Sequence, residues 1–175
     1  MKYFIVIDMQ NDFCTGALAN PEAVKIIPNI KRELINFIEK EKKDGIVIFT
    51  RDTHGFDYLD TLEGKNLPVV HCIQGTEGWQ VVPELTEVLD KYKPTVRIIN
   101  KNRFGYDNWK NILEPFSEVK IMGTISSICV AANFSAIKAL PEMDITVLKD
   151  CCADLSPEGQ DAAMKVMAAQ QAKIV

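Results

Sequence analysis

The chain has 175 residues, of which 47% are hydrophobic and 25% are charged, and its formal net charge is −4. This size and composition are typical of one soluble globular domain, so we expect a single domain over residues 1–175. The basic residues form no stripe and no apolar run reaches the ~20 residues of a membrane span, so we expect neither nucleic acid nor a membrane as a partner.

The first predicted element is a strand over residues 3–8 (YFIVID), an apolar and β-branched run that ends in an acid. Only one lysine precedes it and Asp8 interrupts it, which favours a strand over a signal peptide. The five cysteines of the chain include no CxxC pair. Without an export signal, such cysteines are expected to be reduced thiols, so we expect a cytoplasmic protein.

The rest of the first half alternates amphipathic and apolar segments. Pro28 is expected to open a helix, because Ile30, Leu34 and Ile38 then share one stripe and Gly45 ends it. The elements that follow are a strand over 46–52, a loop-rich stretch over 53–79 and a short helix over 84–92.

The second half predicts strands over 95–101, 118–124 and 144–150, helices over 108–116, 128–140 and 157–172, and the start of a sixth strand at 173–175. Continuous apolar strands separated by helices indicate a parallel sheet covered on both faces. We therefore predict an α/β fold, a three-layer α/β/α sandwich around a mostly parallel, Rossmann-like sheet of five to six strands. Such sheets bind ligands at the carboxyl ends of their strands.

Cys129 lies just after the fourth predicted strand, at the expected start of a helix. Ser126 or Ser127 could cap that helix, and the helix dipole would then lower the pKa of the thiol and stabilise a thiolate. The same free N–H groups could bind an oxyanion. The alternative is that Cys129 is simply a small buried hydrophobic residue.

Asp8 and Lys101 end the first and third predicted strands, at the same edge of the sheet as Cys129. Desolvation should raise the pKa of Asp8, which could take the thiol proton and later pass it to a leaving amine. Lys101 would be a fixed positive charge beside both groups. The alternative for Lys101 is a solvated lysine that follows an edge strand.

Asp52 and His54 are spaced i, i+2, so their side chains should point to the same side of an extended chain. His71 follows after a loop, and the three side chains form a mixed nitrogen and oxygen set that suits Zn²⁺ or another divalent ion. Three protein ligands would leave positions open for water or substrate. The alternative is chance, because D-x-H is a short pattern.

Several motifs occur in a specific order along nearly the whole chain. They are VIDMQNDF, TRDTHG, HCIQGTEGW, NKNRFGY and GTISSICV. This ordered set resembles the isochorismatase-like cysteine hydrolases and, within them, the nicotinamidase-like branch. The stretch AANFSAIKAL after Cys129 departs from the pattern of that branch, which usually has Thr-Ala-x-Asp-Ala there.

The resemblance implies roles for particular residues. Asp8, Lys101 and Cys129 would form the catalytic triad, and Asp52, His54 and His71 would bind the metal. Gln10 and Phe13 would line the pocket, and a non-proline cis peptide would join Thr124 to Ile125. The amide N–H groups of Ile125 and Cys129 would then bind the oxyanion.

The resemblance also implies an activity, which is hydrolysis of a small C–N amide such as nicotinamide through a thioester, with a divalent metal, most often Zn²⁺. It further implies a homo-oligomer, either a dimer or a tetramer. Three alternatives stay open. They are a metal-independent relative acting on a vinyl ether or carbamoyl compound, a binding module without turnover, and a thiol redox protein that uses Cys151 and Cys152.

Overall fold

The computed structural model describes residues 1–175 and is built on one six-stranded sheet. The strands are β1 (Lys2–Ile7), β2 (Gly45–Asp52), β3 (Thr95–Lys101), β4 (Glu118–Thr124), β5 (Asp144–Ala153) and β6 (Lys173–Ile174). Their order in the sheet is β3-β2-β1-β4-β5-β6, and every neighbouring pair is parallel. The predicted parallel sheet, including its sixth strand, is confirmed.

Six helices connect or flank the strands. They are α1 (Asn11–Cys14), α2 (Pro21–Glu41), α3 (Leu62–Asn66), α4 (Pro83–Tyr92), α5 (Ala131–Lys138) and α6 (Pro157–Ala169). The connections through α2 and α4 lead from β1 to β2 and β3, toward one edge of the sheet, and those through α5 and α6 lead from β4 to β5 and β6, toward the other edge. Because such crossovers are right-handed, the two pairs of helices cover opposite faces of the sheet. The predicted three-layer α/β/α sandwich is therefore confirmed. None of these helices combines the length and the apolar character needed to cross a membrane.

The prediction that a helix opens at Pro28 is wrong, because α2 begins at Pro21 and continues through Pro28. The Asn20 side chain caps it by accepting the N–H of Glu22, and a proline in the first turn removes no helical hydrogen bond. An interior proline costs a helix about 3 kcal/mol. Each buried isoleucine contributes about 1.5–3 kcal/mol. Ile26 and Ile27 are both buried, and they offset that cost.

Two further predicted helices differ from the structure. Only a 3₁₀ turn, Trp109–Asn111, forms within the predicted helix over 108–116, because Pro115 disfavours helical geometry in the residue before it. In the predicted helix over 128–140, residues Ser126–Val130 form a π-helical turn, and α5 begins only at Ala131. The expected cap at Ser126 or Ser127 is wrong, since neither side chain caps this turn.

Close packing in the core fixes the carboxyl ends of β1 and β4. Residues Phe4, Ile5, Val6 and Ile7 of β1 are all fully buried, because helices cover both faces of the sheet. At the end of β4, Gly123 has a φ of +125°, and a Cβ there would lie 2.1 Å from the carbonyl oxygen of Ile7. Only glycine allows β4 to approach β1 this closely just before the turn that bears Cys129.

Candidate active site

The structure brings Asp8, Lys101 and Cys129 together at the carboxyl edge of the sheet. Asp8 follows β1, Lys101 ends β3 and Cys129 lies in the π-helical turn after β4. The Lys101 Nζ atom lies 2.6 Å from Asp8 Oδ2 and 3.9 Å from Cys129 Sγ. All three residues are buried, so their charges interact with little screening by solvent.

Thr50 of β2 orients the carboxyl group of Asp8. Its hydroxyl donates to Asp8 Oδ1 at 2.6 Å and accepts the backbone N–H of Asp8 at 3.1 Å. Asp8 itself has a φ of +50°, which turns the chain sharply after β1. Sequence reasoning missed Thr50. The signal for it is a polar residue that directly follows the apolar run IVIF in a buried strand.

Burial controls the protonation of the two acidic groups. It raises the pKa of Asp8, while the ammonium of Lys101 and the hydroxyl of Thr50 oppose that rise. Burial also raises the pKa of the Cys129 thiol well above its usual range; the charge of Asp8 adds to this rise and Lys101 counteracts it. Burial alone would lower the pKa of Lys101, but the charge of Asp8 outweighs it and the pKa is raised.

The expectation that a helix start lowers the pKa of Cys129 is therefore contradicted. Cys129 is only 7% exposed, and the α-helix begins two residues later, at Ala131. The free protein accordingly holds Cys129 as a neutral thiol beside an ion pair of Asp8 and Lys101. A neutral thiol becomes a strong nucleophile only when a base removes its proton.

A second cluster lies next to Lys101, where the structure groups Asp52, His54, His71 and Glu63. The Nε2 atoms of His54 and His71 lie 2.8 Å and 3.5 Å from Asp52 Oδ2. Glu63 Oε1 lies 3.7 Å and 3.9 Å from the same two nitrogens. Sequence reasoning missed Glu63, because it belongs to α3 inside a stretch predicted to be loop.

This cluster fits a divalent metal. Its four donor atoms lie within 4.8 Å of one another, and two imidazoles with two carboxylates suit Zn²⁺ and related ions. The Nδ1 atom of His71 lies 2.7 Å from the carbonyl oxygen of Val69, which leaves Nε2 to face the cluster. Burial would raise the pKa of Asp52, but His54, His71 and Lys101 outweigh it and the pKa is lowered, so Asp52 is a carboxylate.

Gln10 and Phe13, which were expected to line the pocket, both lie next to metal-ligand candidates. Gln10 is fully buried, and its side chain makes three backbone hydrogen bonds, to the N–H and carbonyl of Asp52 and to the carbonyl of Trp79. These bonds occupy the carboxamide, so Gln10 holds the end of β2 rather than lining the pocket. The Phe13 ring packs beside His71, with ring centroids 5.7 Å apart.

The peptide bond between Thr124 and Ile125 is cis, at the expected position just before the turn of Cys129. Thr124 is buried, and its hydroxyl lies 3.4 Å from the carbonyl oxygen of Ala153. The turn is held from outside by Asp154, whose Oδ2 accepts the N–H of Ser127 at 2.6 Å. Sequence reasoning missed Asp154, because the fifth strand was expected to end at Asp150 and instead extends to Ala153.

A cavity of about 640 Å³ opens beside the metal-ligand cluster. The loops that follow β2 and β3 supply its walls, which include His54, Glu63, Leu62, Arg103 and Phe104. Two metal-ligand candidates, His54 and Glu63, therefore border a space large enough for a small organic substrate.

The chain matches one family model and is similar to several known proteins. The family model described as "Isochorismatase domain" matches residues 2–175. A nicotinamidase of Escherichia coli is 26% identical, over 95% of this chain and 89% of that protein. A nicotinamidase/pyrazinamidase from Bacillus subtilis has a TM-score of 0.84 at 26% identity, covering 99% of this chain and 98% of that one.

A second structure is that of a pyrazinamidase from Pyrococcus horikoshii in complex with zinc. It has a TM-score of 0.77 at 27% identity and covers 99% of this chain and 98% of that one. Each of these relatives covers at least 95% of the chain.

Proposed function

Because the chain belongs to the isochorismatase domain family, we propose that it hydrolyses the C–N bond of a small, non-peptide amide as a single domain over residues 1–175. It is a hydrolase of the nicotinamidase-like branch. By analogy with that branch, we expect its substrates to be nicotinamide and related aromatic amides. The nicotinamidase and pyrazinamidase relatives described above support this assignment.

The observation that carries the proposal is the buried contact of one thiol, one carboxyl group and one ammonium. In the first step, Cys129 Sγ adds to the amide carbonyl carbon while its proton passes to Asp8. A C–S bond forms and the carbonyl π electrons move to oxygen. We assign the binding of this oxyanion to the amide N–H groups of Ile125 and Cys129.

In the second step, the tetrahedral intermediate collapses. The C–N bond breaks, Asp8 gives its proton to the departing nitrogen, and ammonia and a thioester result. Asp8 then takes a proton from water, whose oxygen adds to the thioester carbon. The C–S bond breaks, the sulfur regains the proton from Asp8, and the carboxylic acid leaves.

Lys101 stays charged throughout, because its pKa is raised by the adjacent Asp8 carboxylate. Its ammonium keeps the Asp8 carboxyl pointed toward the sulfur and offsets the negative charge that develops there. Thr50 holds Oδ1 of the carboxyl group, so the proton is exchanged with Sγ at Oδ2, the oxygen that Lys101 also contacts.

Asp52, His54 and His71, together with Glu63, would hold a divalent metal, for which Zn²⁺ fits best. When bound, such an ion supplies a Lewis-acidic position for a polar group of the substrate, such as a ring nitrogen. The zinc-bound pyrazinamidase among the relatives supports this choice.

Ammonia release from a panel of small amides tests the function. The panel contains nicotinamide, pyrazinamide, benzamide and an N-carbamoyl amino acid, each assayed with and without a chelator. We expect the heteroaromatic amides to be hydrolysed and the chelator to slow them. Release of no ammonia from any amide would refute the proposal, and full activity on the carbamoyl compound alone would indicate a different substrate class.

A further inference from the structure

Asn133 lies one helical turn after Cys129, in α5, and its side chain is fully buried. Its Nδ2 group donates two hydrogen bonds. One goes to the carbonyl oxygen of Cys129 at 2.8 Å, and the other goes to the carbonyl oxygen of Phe104 at 3.0 Å. A single amide nitrogen therefore joins the turn of the nucleophile to the loop after β3.

The oxygen of the same side chain contacts that loop twice more. Oδ1 accepts the backbone N–H of Tyr106 at 2.9 Å and the indole N–H of Trp109 at 3.1 Å. An asparagine side chain has two donor hydrogens and two acceptor lone pairs, so all four positions are used. The reverse orientation of the amide would set NH₂ against two donors, so the contacts fix its orientation.

The loop over residues 102–109 has two connections to the site. The carbonyl oxygen of Arg103 accepts a hydrogen bond from Lys101 Nζ at 3.0 Å, so the loop helps to hold the ammonium that contacts Asp8 and Cys129. Asn102, Arg103 and Phe104 also form one wall of the 640 Å³ cavity. Movement of this loop would displace both the lysine and the wall.

We infer that Asn133 is a positioning residue that locks the loop over residues 102–109 to the turn carrying Cys129. It thereby fixes the distance between the ammonium of Lys101 and the sulfur, and the width of the cavity. Asn133 does not touch the substrate itself. The kinetic part of this inference rests on the proposed amide hydrolysis, whereas its structural part does not.

Physical chemistry supports a specific role over simple packing. Removing a buried side chain that satisfies several partners leaves those partners without hydrogen bonds, and a network of this kind selects one arrangement of the groups it joins. An apolar residue of similar volume at this position would fill the space but release the loop.

The test compares Asn133→Leu with Ile137→Ala. Ile137 lies one turn further along α5, is fully buried, and has an apolar side chain that makes no hydrogen bond to the loop. Both variants should lower the melting temperature. We expect Asn133→Leu to lower kcat at least about tenfold and to raise KM severalfold, because interactions used in the transition state and in binding are both lost. We expect Ile137→Ala to change kcat and KM by less than about twofold once the folded fraction is known.

A second measurement needs no turnover. The rate at which iodoacetamide alkylates Cys129 at one fixed pH, followed by peptide mass spectrometry, should change at least about fivefold in Asn133→Leu and stay constant in Ile137→Ala, because only the first displaces the cation next to the sulfur. If Asn133→Leu fails to fold, Trp109→Phe removes the indole bond alone and should produce a smaller change of the same kind.

The outcomes separate the two proposals. Unchanged kcat, KM and alkylation rate in folded Asn133→Leu would overturn the positioning role while leaving amide hydrolysis intact. An altered alkylation rate in a protein that hydrolyses no amide would support the positioning role and refute the proposed activity.

Discussion

Burial and neighbouring charge act in opposite directions on the pKa of Asp8. Its carboxyl group is fully buried, yet Thr50 and Lys101 each contact one of its oxygens. Burial raises its pKa and these two partners oppose the rise. With its pKa raised, the Asp8 carboxylate is a stronger base than that of an exposed aspartate, because the charged form is costly in a dry site.

The first prediction concerns Asp8→Asn. The amide cannot shuttle a proton, so kcat should fall by roughly 10²–10⁴, the range for a lost general acid–base. The circular dichroism spectrum should stay that of the folded protein. Asp144→Asn, which alters only a half-exposed pair with Lys173, is the control and should keep normal kcat. An Asp8→Asn variant with near-normal turnover would contradict the mechanism.

The second prediction concerns Thr50→Val, which keeps the shape of the side chain but removes the hydroxyl. That hydroxyl favours the charged form of Asp8 and lowers its pKa, so its loss should raise the pKa further. Catalysis requires the carboxylate, so the acidic limb of the kcat/KM profile should move to higher pH. Thr146→Val, at a half-buried position of β5, is the control. An acidic limb that stays in place would count against the contact.

At the scale of elements, the strands were predictable because each is a short apolar run bounded by turn residues, and a parallel sheet buries such runs on both faces. The sequence also placed Asp8, Lys101 and Cys129 at one edge, since parallel strands present their carboxyl ends together. It did not reveal the π-helical turn, whose Ser127 N–H is capped by Asp154, the residue directly after β5. Glu63 was not predicted as a metal ligand for a similar reason, because it meets His54 and His71 only when the segment after β2 has folded.

The third prediction concerns Asp154→Ala. The N–H of Ser127 would lose its partner at the start of the turn, and loss of such a cap costs about 0.5–2 kcal/mol. Urea unfolding should show this decrease in the free energy of unfolding. Asp150→Ala, whose side chain is exposed near the end of β5, should change stability by less than about 0.5 kcal/mol. Equal stabilities of the two variants would show that the cap contributes nothing.

At the scale of the whole molecule, the ligand cluster joins segments that are far apart in sequence. It ties the end of β2 to α3 and to the loop of His71. An ion that binds only the folded chain stabilises it by mass action, by about 2.7 kcal/mol at a hundred times its dissociation constant. Metal binding should therefore be visible in stability as well as in activity.

The fourth prediction follows from that linkage. Zn²⁺ added to chelator-treated protein should raise the melting temperature by several degrees, and Glu63→Gln should reduce this rise because it weakens one donor. Glu39→Gln, on the exposed side of α2, should leave the rise unchanged. If zinc fails to shift the melting temperature of the unmodified protein, the cluster does not bind it.

The position of β1 has a consequence for how the chain is made. β1 is synthesised before the other five strands but lies in the middle of the sheet, between β2 and β4. The ribosome completes β2, β3 and several helices before β4 exists, so the β4-facing side of β1 stays unpaired until β4 has been made. Such an apolar edge can pair with other nascent chains. We therefore expect a dependence on chaperones, or on slow translation, that the finished protein no longer shows.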